Sequence, residues 1–248
     1  MTSNGSVVAI GIGVCAITCT AKDGSGVAVT CIVVVSEDTG PHEYVDLGLP
    51  SGTLWATCNI GANNPEEYGN YFAWGEVTPK TIYDWSTYKY CNGSESTLTK
   101  YCNKSYYGYN GFTDTLTELE PEDDAAYVNW GSEWRMPSDV QFEELINSSY
   151  TTTTWTTQNS VSGFKIISNS NGSSIFMPAA GEYYQTSQYT GTDLRYWTRT
   201  LSTTSPYTDC RAYGLENPGY SSTSMLRLTQ WYRYTGWSIR PVRNSVGN

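Results

Sequence analysis

Short runs of β-branched and aromatic residues, each cut off within about eight residues by Gly, Asn, Ser, Thr or Asp, fill most of this chain. Long helices need uninterrupted periodic segments, so such punctuation restricts the chain to short strands joined by tight turns, with little room for helix. The runs that read as strands after the first forty residues are Thr152–Thr157, Gly163–Ser168, Ser173–Pro178, Tyr196–Thr200, Cys210–Leu215 and Gly236–Val242. Two stretches read as helix instead. Pro121–Val128 follows a group of acids suited to a helix N-terminus. Ser138–Ile146 has Ser138 as N-cap and Gln141 at the third helical position, the pattern of a capping box. Its Val140, Phe142, Leu145 and Ile146 leave one apolar stripe.

The first 38 residues stand apart. They read as strands at Ser6–Ile10, Val14–Thr20 and Val27–Val35, with a polar turn Lys22-Asp23-Gly24-Ser25-Gly26 marking a hairpin. Three short strands cannot close a sandwich, so this segment is expected either to be completed by another chain or to be a remnant packed on its neighbour. Ser36–Pro41 is a short polar linker. From His42 to Arg243 the chain runs on without an internal repeat. Its 248 residues suit one large domain plus a small appendage, and nine tryptophans with 39% hydrophobic residues are ample for a core.

Val7–Ile17 is apolar, but it lacks a basic flank and Gly11 and Gly13 interrupt it, so it is not read as a signal peptide. No apolar run reaches the ~18 residues of a membrane span, and no membrane insertion is expected. Seven cysteines and one histidine, with no CxxC pair, argue against zinc and against any metal or other cofactor. Cys91 and Cys102 could pair across a loop; most of the cysteines are expected to be buried free thiols. The acidic run Glu118–Asp124 lacks the alternating ligands and glycine of a calcium loop and reads as a solvated helix start.

Charge is distributed unevenly. Residues 187–248 hold seven of the eight arginines, no lysine and three acids, a net +4, while residues 1–186 hold 7 basic and 21 acidic residues, a net −14. Ten aromatics are interleaved with those arginines. Arg, Tyr and Trp dominate binding hot spots where Lys and Glu are scarce, and Tyr with Ser, Gly and Asn is the composition of antibody paratopes. The overall net charge of −10 argues against nucleic acid as partner.

Two resemblances refine this reading. "GSVVAIGIGVCAITCTAKDGSGVAVTCIVVV" resembles the second half of a bacterial Ig-like domain of group 2, so residues 1–38 are expected to be a partial domain of that kind. From Tyr44 the chain is similar to the Fibrobacter succinogenes major paralogous domain of Bacteroidetes surface and secreted proteins. The matching motifs are Val45–Ala56, Asn59–Ala62, Tyr68–Glu76, Asp123–Ala126, Trp130–Ser138, Phe176–Gly181, Tyr196–Trp197 and Gly236–Arg243. For residues 42–243 this resemblance implies an α+β, C-type-lectin-like fold of the formylglycine-generating-enzyme-like branch. Some proteins of this kind, from Bacteroides relatives and their phages, are variable proteins of diversity-generating retroelements, which mutate adenines in a C-terminal repeat. A lysine-free tail rich in Tyr, Arg, Ser and Thr permits that reading, with Trp197, Glu216, Met225, Gln230 and Trp231 as framework.

The motif tryptophans Trp55, Trp74, Trp130 and Trp134 read as core, and Arg135 and Arg240 as structural. The expected ligand-binding set is therefore Arg195, Arg199, Tyr207, Arg211, Tyr213, Arg227, Tyr232 and Tyr234, clustered on one exposed surface. The expected function is an adhesin or receptor-binding protein, extracellular on a cell surface or a virion. Its partner would be a protein or carbohydrate ligand on a cell surface, and a homo-oligomer could form through the Ig-like segment. No catalytic constellation stands out: His42 sits in the linker region, and the C-terminal region offers only Cys210 where the formylglycine-generating enzymes pair cysteines. An enzyme of that branch or of the carbohydrate-active class, and a structural virion or surface component, remain the alternatives.

Overall fold

The computed structural model describes residues 13–35, 42–204, 209–217 and 225–244, and the chain divides into two compact units, Met1–Pro41 and His42–Asn248. In the first unit β1 (Gly13–Thr20) pairs antiparallel with β2 (Ala28–Val35), from Gly13 opposite Val35 to Thr20 opposite Ala28. The turn closes because Asp23 accepts from the Ser25 backbone N–H (2.9 Å) and Ala21 donates to the Val27 carbonyl (2.8 Å). The expected strand Ser6–Ile10 lies outside the described residues. Val27 and Val29 of this ribbon are exposed.

The second unit opens with β3 (Tyr44–Asp46) and β4 (Thr53–Ala56). After a long loop region come α1 (Ala125–Trp130) and α2 (Asp139–Leu145). The meander β5 (Thr151–Gln158), β6 (Val161–Ser168) and β7 (Ser174–Pro178) forms one antiparallel sheet. The hairpin β8 (Glu182–Tyr184) and β9 (Ser187–Tyr189) follows, then β10 (Leu194–Leu201), β11 (Arg211–Asn217) and β12 (Arg227–Tyr232), and finally β13 (Gly236–Trp237) and β14 (Val242–Asn244). The remaining sheets run in the orders β14-β4-β3, β10-β11-β12 and β13-β8-β9. All strand pairs within these sheets are antiparallel, and among the described residues no barrel closes.

Strand outweighs helix, 38% to 9%, so the expected α+β class is corrected to a mostly antiparallel β protein, and the C-type-lectin-like architecture expected with it is set aside. The second helix forms where the sequence places it, whereas over Pro121–Val128 a 3-10 turn at Pro121–Asp123 comes first and α1 starts only at Ala125; both helices are short. The N-cap Asp124 accepts from the Ala126 and Tyr127 amides, but Gly131 at φ 94° ends α1 after six residues. The Ser138/Gln141 capping box is complete, yet α2 ends at Ile146 after seven residues. A helix this short is held by packing rather than propensity. Phe142 and Leu145 supply that packing, joining a core cluster with Trp55, Tyr196 and Leu215.

A second cluster gathers Phe72, Trp74, Tyr83, Tyr88, Tyr101, Trp197 and Trp237. Trp55, Trp74 and Trp134 are buried as expected, whereas Trp130 is half-buried and carries His42 stacked on its face at 3.7 Å. His42 is thus held against the fold rather than free in a linker. Arg240 is fully buried and donates to Asn59 Oδ1 and to the Ala56, Thr57 and Phe176 carbonyls. Arg135 is only partly buried, binding Asp124 and the Leu119 carbonyl. The acidic run is not a solvated helix start at its end. Asp123 and Asp124 are buried, and Asp123 takes Lys89, Lys100, Tyr90 and Tyr101. Burial works against the ionised Asp123, but the bonds from Lys100 and the two tyrosines prevail and hold its carboxyl below the usual range. Cys91 and Cys102 are free thiols bonded to the Trp85 and Lys104 carbonyls, while Cys19 and Cys31 are exposed rather than buried.

Candidate functional site, an aromatic groove

One end of the C-terminal sheets forms an open groove of about 360 Å³ lined by Glu182, Tyr184, Tyr189, Trp231, Tyr232 and Tyr234. The β8–β9 hairpin makes one wall. Gly181 lets the chain enter it: at φ 61° it donates to the Asp193 carbonyl, and a Cβ there would overlap the Tyr189 carbonyl. The tip is pinned because Tyr83 and Gln185 exchange backbone bonds of 2.9 and 3.0 Å. Glu182 faces Tyr189 on one side and Trp237 on the other, so the register sets these three side by side. Tyr184 and Tyr189 remain exposed at 38% and 53%.

The other wall is the end of β12 and the turn after it. Thr235 donates to the Tyr232 carbonyl and turns the chain into β13. Trp231 lies over Trp237 (6.4 Å, 25°), which stacks on Trp197 (4.1 Å, 19°), so three indoles lead from the core to the groove. Gly214 permits this, since a Cβ there would overlap the Trp237 ring. Tyr232 stacks on Tyr234 (5.7 Å, 19°), and Trp85 meets both rings edge-on. Buried Arg233, over Trp74 and Tyr88 and bonded to the Tyr101 carbonyl at 2.9 Å, fixes the turn from below. The groove is therefore built on a rigid frame.

Its electrostatics centre on one carboxylate. Glu182 accepts from Arg195 (3.0 Å) and from the Trp237 indole N–H (3.3 Å), and Arg195 also binds Asp193 (2.8 Å). Burial pushes the Glu182 carboxyl up, with Arg195 pulling the other way. The Arg195 guanidinium lies 5.1 Å from the Trp231 ring centre, within cation–π range. Burial also raises the Tyr234 hydroxyl well above its ordinary value. Among the described residues no group of three or more His, Cys, Asp or Glu is placed to hold a metal ion.

The eight expected site residues do not form one exposed surface. Tyr232 and Tyr234 line the groove, Arg195 backs it, and Arg211 covers the Tyr232 ring at 4.5 Å. Tyr234 is buried at 8% exposure rather than projecting. Arg227 is exposed (61%) and binds Glu216 through Nε and Nη2. Half-buried Tyr213 bonds through its hydroxyl to Thr204. Arg199 turns away to Glu118, Gln141 and the Met136 carbonyl. Tyr207 lies outside the described residues. The cause is a register shift between Trp197 and Leu201: an irregularity there breaks the alternation that would have put Arg195 and Arg199 on one face. Sequence reasoning missed Glu182, Tyr184 and Tyr189 and placed Trp231 in the framework. Tyr183-Tyr184 and Tyr189 on either side of the polar turn Gln185–Gln188 are the signal that could have found the hairpin wall.

Comparison with family models, with curated proteins and with solved structures finds no match to this chain.

Proposed function

We propose that the chain is a non-catalytic ligand-binding protein, displayed outside a bacterial cell or on a virion, that takes a cell-surface carbohydrate in the aromatic groove. The observation that carries this reading is the groove itself, with five tyrosine or tryptophan rings beside one carboxylate on a rigid frame. Rings held this way give up little entropy on binding, and aromatic anchors in a partly desolvated pocket are the usual source of hot-spot energy. A sugar ring offers a flat C–H face to a Tyr or Trp ring and hydroxyls to a carboxylate and to phenol O–H groups. Glu182, already paired with Arg195, can accept those hydroxyls without the full cost of a lone buried charge. Hydrolysis of a glycoside ordinarily employs two carboxyl groups flanking the bond, whereas the described lining holds Glu182 alone.

The resemblance to Bacteroidetes surface and secreted proteins supports display outside the cell, and the lysine-free tail supports variation by a retroelement. A reverse transcriptase and a near-repeat of the 3′ end in the neighbouring DNA would test the latter; their absence removes it and leaves the binding reading in place. Binding itself is tested on an array of immobilised oligosaccharides and by titration of the intrinsic tryptophan fluorescence. Signal on a defined set of glycans, with a change in that fluorescence that is lost in Trp231→Phe, is the expected result. An array with no signal would overturn the carbohydrate reading.

A further inference from the structure

A second cleft, of about 530 Å³, shares no lining residue with the aromatic groove. Three arginines distant in sequence line it: Arg135, Arg199 and Arg243. Backbone pairing sets each in place. Arg135 and Val242 exchange both backbone bonds at 2.9 Å, which seats Arg135 beside the start of β14 and next to Arg243. Arg199 donates its N–H to the Pro137 carbonyl and accepts from Leu119, which fixes it in the β10 irregularity opposite α2.

Each side chain is held by hydrogen bonds or ion pairs to the surrounding fold. Arg135 uses Nε on fully buried Asp124 and Nη2 on the Leu119 carbonyl. Arg199 uses Nη1 on the Met136 carbonyl and Gln141, and Nε on Glu118. Arg243 binds Glu133 through Nη2 at 2.9 Å, while its buried Nε has no hydrogen-bond partner among the described residues. Nη1 of Arg135 and Nη2 of Arg199 likewise have no protein partner among them. The two opposing carboxylates, Glu118 and Glu133, are themselves 50% and 67% exposed. Such ion pairs are weak and exchange readily, whereas forked guanidinium donors match carboxylate and phosphate oxygens well.

We infer that this cleft is a binding site for a small anion of multiple negative charge, carried by two or more carboxylates or by phosphate, which displaces Glu118 and Glu133 from their arginines. Three converging guanidinium groups favour multiple negative charge over a single one. The exposed glutamates keep the arginines ordered and partly neutralised until the anion arrives. The site is independent of the carbohydrate reading of the groove.

Calorimetric titration of the full chain with citrate, inorganic phosphate and acetate, at low and high salt, tests this. Citrate and phosphate should bind, acetate should bind at least about tenfold more weakly than citrate, and added salt should weaken all three. Arg243→Gln should weaken citrate binding by about tenfold or more. Glu133→Gln should instead tighten it by roughly threefold to tenfold, because it removes a competitor; a merely structural ion pair would not produce that change of sign. Thermal melting establishes that both variants fold, and Glu118→Gln, expected to act as Glu133→Gln does, replaces any variant that does not. The site is refuted if citrate and phosphate give no binding, if acetate matches citrate, or if the glutamate variants weaken the interaction.

Discussion

Replacing Trp197 by alanine should produce the largest single loss of stability in the second unit. Trp197 is fully buried, stacks on Trp237 at 4.1 Å, and donates its indole N–H to the Phe72 (3.0 Å) and Thr235 (3.3 Å) carbonyls. Burying roughly 200 Å² of aromatic surface at about 25 cal/mol per Å² stabilises by about 5 kcal/mol. Truncations of this size measured in other cores cost about 3–5 kcal/mol, the spread depending on how far the site collapses. The Phe72 carbonyl keeps the Trp237 amide as partner (3.1 Å), so the lost hydrogen bond adds only about 1 kcal/mol. The expected total for Trp197→Ala is therefore about 4–6 kcal/mol. Trp197→Phe keeps most of the stack and loses the N–H, and should cost about 1–2 kcal/mol. Urea unfolding of the three proteins, compared at constant slope against denaturant, measures both differences. A loss below about 2 kcal/mol for the alanine variant would contradict the reasoning. So would a phenylalanine variant as damaged as the alanine one, because the ring stack would then not be what stabilises this region.

Two further predictions concern the frame. Asp123 has a folded pKa below its ordinary 3.8, so its stabilisation is fully present above that value and is lost as pH falls through the lower folded value. Asp123→Asn should lose about 1–3 kcal/mol at neutral pH, and the gap to the parent should close on acidification; a gap that widens in acid refutes the assignment. Deleting residues 1–41 should leave 42–248 soluble with an unchanged cooperative melt, since the cores named above are built from residues of that unit. A melt that broadens or is lost would show that the two units share a core.

Local chemistry was legible in the sequence wherever short-range rules decide the outcome. The Ser138/Gln141 capping box, the Asp23–Gly26 turn and the strands from Thr151 to Pro178 follow from capping, turn residues and period-2 patterning. Gly236–Val242 was not legible as it stands, because the run divides: β13 pairs with β8 and β14 with β4, and buried Arg240 lies between them. Neither partner is close in sequence. The expected clustering of the site residues on one exposed face broke down for a related reason. Alternation tells which residues share a face only while the register holds, and the shift after Trp197 sent Arg199 to a different cleft. Trp231, assigned to the framework, packs on Trp237 and also lines the groove, so both roles meet in one side chain. The fold class failed because α+β came from the family resemblance, whereas the helix signals in the residues span only Pro121–Val128 and Ser138–Ile146 and leave the rest of the chain to strands.

The most direct test of the groove is glycan binding by the double variant Tyr184→Ala/Tyr189→Ala. Both rings are exposed and sit on the hairpin, so the variant should melt within about half a kcal/mol of the parent. On the oligosaccharide array and in titration with the glycans that bind the parent, it should lose affinity by about 30-fold or more, the equivalent of roughly 2 kcal/mol. A correctly folded double variant that binds those glycans as tightly as the parent would contradict the account.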